Sequence, residues 1–68
     1  MIVQLFRPEG GGDRWLLYAP DLPGGVKPIR APPELAAMLE GPSGYFYAEP
    51  EPDSDGWTIS GRAPPPVW

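Results

Sequence analysis

The chain has 68 residues, 41% hydrophobic and 12% aromatic, which is enough for one small domain with a core and no more. Five basic residues against nine acidic ones leave a formal net charge of −4, which excludes nucleic-acid binding through a phosphate-neutralising patch. Cys and His are both absent, so disulfides, Cys/His zinc sites, thiol nucleophiles and the commonest general base are excluded together.

A chain this short buries only about 60% of the surface its unfolded form exposes. Stability must then come from aromatic packing, proline-stiffened loops or self-association. Twelve Pro and nine Gly would suit a disordered chain, but the apolar residues cluster in strand-like runs, which predicts an ordered domain. No apolar run approaches the length of a membrane span. The opening MIVQLFRP has no basic region ahead of an apolar one, so a cytoplasmic protein is expected.

Met1–Phe6 is β-branched and apolar and predicts a first strand. Alternation puts Val3 and Leu5 on one face and Ile2, Gln4 and Phe6 on the other. Glu9–Asp13 (EGGGD) predicts a hairpin turn leading into a second strand, Arg14–Ala19. The triple glycine lacks the Lys-Ser/Thr and the following helix that a phosphate-binding loop requires. Pro20–Arg30 reads as irregular, with Pro23-Gly24-Gly25 a tight turn. Val26–Ile29 is expected at a sheet edge, where Pro28 is tolerated.

Pro32-Pro33-Glu34 opens the one expected helix, with proline and an anion in the first turn. It is predicted to run to about Glu40 and to stop at Gly41-Pro42. Leu35, Met38 and Leu39 share its inner face. Two further strands are expected at Gly44–Glu49 and Gly56–Gly61. Phe46 and Ala48 then oppose Tyr45 and Tyr47, and Trp57 and Ile59 oppose Thr58 and Ser60.

The fold class expected is α+β. A single domain over residues 1–61 has β-β-α-β-β order, a mostly antiparallel sheet, and one short helix packed on Val3, Leu5, Phe46 and Ile59. Residues 62–68 (RAPPPVW) are expected to be an extended, proline-rich tail of polyproline II character, docked on its own sheet or on a second copy.

The densest stretch is Gly44–Gly61. Its loop carries Glu49, Glu51, Asp53 and Asp55, interleaved with Pro50 and Pro52. Glu51, Asp53, Asp55 and Gly56 fall at the first, third, fifth and sixth places of a calcium-loop spacing. The twelfth place is Arg62, where that motif needs a bidentate Glu, and the flanks read as strands rather than helices. No metal and no cofactor is expected. Alternating carboxylates on a proline-stiffened segment lie on the order of 6 Å apart, preorganised for a basic surface. A bland alternative is a hairpin tip that charge merely keeps solvated.

Tyr45, Tyr47 and Trp15 are expected as an aromatic stripe on the sheet face away from the helix. Such residues serve as protein-interface anchors; without basic neighbours they make a poor base-stacking platform.

The reading is therefore a non-enzymatic protein-binding module for a partner with a basic surface. Tyr45, Tyr47, Glu49, Glu51, Asp53, Asp55 and Trp57 are its expected contact residues. Direct nucleic-acid and membrane binding are not expected, and a homodimer is admitted. In size and charge the chain resembles the small acidic anti-defence proteins of phages and mobile elements, anti-CRISPR proteins among them. That likeness implies occlusion of a basic nucleic-acid-binding surface, and it assigns no residue. The alternative expectation is an accessory subunit that homo-oligomerises through its aromatic face or tail.

Overall fold

The computed structural model describes every residue except Gly11, Glu40, Asp55 and Trp68. Among the described residues, five strands and one helical turn follow in chain order: β1 (Ile2–Phe6), β2 (Arg14–Tyr18), β3 (Val26–Arg30), α1 (Pro33–Ala36), β4 (Ser43–Pro50) and β5 (Trp57–Arg62). They form one antiparallel sheet in the order β3-β2-β1-β4-β5. The first three strands are a meander, and β4–β5 is a hairpin added to the other side of β1.

The segment at Val26–Arg30 is a full edge strand, so the element order is β-β-β-α-β-β rather than β-β-α-β-β. A proline within it is explained by hydrogen-bond phase. Ala19 N–H donates to Gly25 O and Ala31 N–H to Asp13 O, at either end of the β2–β3 register. Bonded pairs alternate along an antiparallel ladder. Lys27 and Ile29 therefore face β2, and Pro28 occupies a position whose N–H would have pointed off the sheet. The ladder loses nothing, and the free edge lacks a donor at its middle, which discourages strand addition there.

The helix is a correction. It spans Pro33–Ala36 and does not continue regularly toward residue 40, which lies outside the described residues. Leu35 N–H bonds Pro32 O, Met38 N–H bonds Leu35 O, and Leu39 N–H reaches Ala36 O at 3.4 Å. All three are i to i−3 bonds, and the last two tighten the chain after α1 into 3₁₀-like turns. At about three residues per turn Leu35 and Met38 stay on one side, so the expected apolar face survives without the expected helix. Leu35 is buried, and Met38 and Leu39 pack against the core.

The core is the inner sheet face: Val3, Leu5, Trp15, Leu17, Phe46 and Ala48, closed by Ala19, Ala31 and Leu35. Ile59 and Trp57 pack partly against it. No polar side chain is buried among the described residues. Trp15 is the second correction: it is 2% exposed and belongs to the core, not to an outward stripe. The strand starts at Arg14 as expected, and alternation places Trp15 with Leu17 inward, so Arg14 and Leu16 take the outward positions. The indole N–H donates to Gly12 O at 3.2 Å, which gives its one polar atom a partner.

Gly44 sits at a close approach. A Cβ there would lie 2.9 Å from Leu39 Cδ2 and 3.2 Å from the Phe46 ring.

Candidate functional site: the outer sheet face and the β4–β5 tip

Alternation along β4 sends Phe46 and Ala48 inward and leaves Tyr45, Tyr47 and Glu49 on the outer face. Tyr47 is 45% exposed, while Tyr45 is half-buried. Register places Tyr45 opposite Gln4 and Tyr47 opposite Ile2 on β1. The two tyrosines are thus on one face, as expected, with unequal access.

The other strand of the hairpin changes phase. Ala48 pairs with Ile59, but Tyr47 pairs with Gly61, so Ser60 is the extra residue of a β-bulge. A bulge bends its strand and shifts the alternation by one residue. Trp57 and Ile59 lie on the core side, half-buried, and Gly61 rather than Ser60 stands opposite Tyr47. Beyond the bulge Arg62 falls opposite Phe46. Trp57 therefore packs partly against the core.

The acids divide as well. Glu49 is the last outward residue of β4, and its Oε1 accepts a hydrogen bond from the Met1 amine at 2.5 Å; its side chain stays 71% exposed. The Met1 amine also donates to Ala48 O, and Ala48 N–H bonds Met1 O. The start of the chain is thereby fixed beside the hairpin. Glu51 and Asp53 are exposed on the tip, which Glu51 N–H closes on Gly56 O at 2.9 Å. Ser54 Oγ accepts from Gly56 N–H. Asp55 lies outside the described residues. Among the described residues no group of three acidic side chains converges as a metal-ligand set. The tip displays its charges separately to solvent.

β5 runs to Arg62, one residue into the stretch expected as a tail. Ala63 N–H donates to Tyr45 O at 2.9 Å, which extends the β4–β5 pairing. Pro65 lines a shallow cavity of about 210 Å³ with Tyr45 and Met38. Pro66 lines another, of about 270 Å³, with Ile2 and Pro20. Val67 is fully exposed.

Sequence reasoning missed the other half of the outer face. Register aligns Phe6, Leu16 and Pro28 in one cross-strand row, Tyr18 and Val26 in the next, and Arg14 with Arg30 at the end. Phe6 is 36%, Leu16 37% and Val26 47% exposed. The Arg14–Arg30 end is diagonally opposite the acidic tip, on the order of 25 Å away across the sheet. The signal was the alternation in RWLLY, legible once Trp15 is turned inward.

No helix among the described residues is long and apolar enough to cross a membrane. No family model matches the chain, and no curated protein or solved structure matches it either.

Proposed function

We propose that this is a non-catalytic protein-binding domain whose acidic β4–β5 tip, with Tyr47 beside it, docks on a basic protein surface. The observation that supports this reading is the segregation of charge. Glu49, Glu51 and Asp53 are exposed at one corner of the sheet, next to a half-exposed tyrosine and on a proline-stiffened hairpin. Prolines lower the ordering cost of binding, and an acidic corner steers encounter with a cationic partner. The finer form of the proposal is occlusion of a nucleic-acid-binding surface, in which the carboxylates stand in for phosphates.

The test compares wild type with a Glu49→Gln, Glu51→Gln, Asp53→Asn variant as baits. Wild type should retain basic proteins that elute between 0.1 and 0.5 M salt, and the variant should lose them. Equal retention by both, insensitive to salt, rejects the reading. A second reading, an accessory subunit that self-associates, is favoured by the exposed Phe6, Leu16 and Val26 of the outer face.

A further inference from the structure

The outer face carries an unrelieved charge pair. Arg14 and Arg30 are direct cross-strand partners, both exposed and both on the outward phase of their strands. Like charges placed so are unfavourable. Glu9 and Asp13 belong to the neighbouring β1–β2 loop, yet the one ion pair among the described residues is that of Met1 with Glu49. Immediately beside the arginines lie Leu16, Pro28 and Phe6, an exposed apolar row. This corner is cationic and apolar on a protein of net charge −4.

The same chain displays the complementary chemistry at its opposite corner. The tip alternates Glu49, Glu51 and Asp53 with Pro50 and Pro52, carboxylates beside apolar rings. Within one molecule the two corners cannot meet, since they lie at opposite ends of the sheet diagonal. Between molecules they can. Strand addition is a poor route to association, because Pro28 removes the central donor of one free edge and the bulge at Ser60 bends the other.

We propose that the acidic tip of one copy docks on the Arg14–Arg30 end of the outer face of a second copy, its carboxylates pairing with the guanidinium groups and its prolines covering Leu16 and Pro28. This rests on the reading of the tip as a docking element and names a second copy of the chain as its basic partner. Both corners belong to one face, so two copies turned face to face about a two-fold axis seat each tip on the other's arginine end, and the contact closes as a symmetric dimer with two equivalent contacts.

Sedimentation at about 0.1 M salt tests it, since the Debye length of about 10 Å leaves contact pairs effective while screening the repulsion of net charges. The weight-average mass of wild type should rise from that of a monomer toward that of a dimer as concentration reaches the millimolar range. Association should weaken at least about tenfold at 1 M salt, where the Debye length is about 3 Å. Arg14→Gln/Arg30→Gln should be monomeric, and so should Glu49→Gln/Glu51→Gln/Asp53→Asn.

An equimolar mixture of these two variants should form a heterodimer weaker than the wild-type dimer, because one of the two contacts remains. A wild type that stays monomeric overturns the proposal. So does a variant that associates like wild type, or a mixture that shows no heterodimer. Circular dichroism checks that the variants fold; if either does not, the salt dependence and final mass of wild type decide. Loss of self-association alongside retained, tip-dependent capture of basic proteins would reject this inference and leave the proposed function standing.

Discussion

The two faces of the same sheet are built from alternate residues of the same strands, yet they differ in almost every physical respect. The inner face holds Val3, Leu5, Trp15, Leu17 and Phe46, all 2% exposed or less. The outer face holds Phe6, Leu16, Val26 and Tyr47, all between 36% and 47% exposed, bounded by arginines at one corner and acids at the other. Period-two alternation lets one strand serve two purposes. A side chain moved by one position changes from a determinant of folding to a determinant of contact. The difference teaches where stability and recognition can be altered separately.

The largest expected effect comes from the inner face. Phe46→Ala empties the centre of the core and should cost about 3–5 kcal/mol. For a domain of this size each kcal/mol is worth roughly 4–8 °C in Tm, so thermal unfolding followed by circular dichroism should show a drop of 10 °C or more or outright loss of fold. A smaller loss would mean that the inner face is less tightly packed than its burial implies.

Gly44→Ala comes next. The added methyl meets Leu39 and the Phe46 ring, and overpacking of this kind costs about 1–3 kcal/mol. Denaturant midpoints measure it. A neutral result would show that Leu39 swings aside freely and that the segment after α1 is loosely held.

Trp15→Phe keeps the ring in the core and removes the indole N–H that bonds Gly12 O. A loss of about 1 kcal/mol from the hydrogen bond is expected beyond the change in buried area. Its comparison with Leu16→Glu, one residue along, is the sharpest test of the two-face division. Leu16→Glu should change stability by no more than about 0.5 kcal/mol, while it abolishes the concentration-dependent rise in sedimenting mass. If Leu16→Glu destabilised as much as Trp15→Phe, the outer face would be part of the structural core.

Much of the fold was legible. The strands at β1, β2, β4 and β5 follow from β-branched and aromatic runs bounded by Gly and Pro, and Val3, Leu5 and Phe46 were assigned to the core by alternation. The edge position of Val26–Ile29 was legible from Pro28. The helix ends earlier than its apolar spacing predicts, because that spacing serves three-residue turns as well as 3.6-residue ones, and the Met38 and Leu39 bonds to residues three back distinguish them. Trp15 is buried rather than part of the outward aromatic stripe, because its strand's phase follows Leu17 and not the tyrosines of β4.

The candidate site was legible only in part. The acids and Tyr47 were visible as composition. The bulge at Ser60 was not, and it sets which residue of β5 stands opposite Tyr47. The Arg14–Arg30 pairing was also invisible, since it joins residues sixteen apart in sequence.

By itself, then, the sequence determined the chemistry available and the local elements. A Cys-free and His-free chain has no thiol and no imidazole, its glycines and prolines mark the turns, and period-two alternation divides each strand into two faces. Those properties depend on residue type and nearest neighbours, which are written along the chain. The tertiary structure alone decided the strand order, the phase shift at Ser60 and the placing of opposite charges at opposite corners of one sheet. These depend on register between distant segments, and register follows from which pairing buries Val3, Leu5, Trp15 and Phe46 together, a choice no single segment can make.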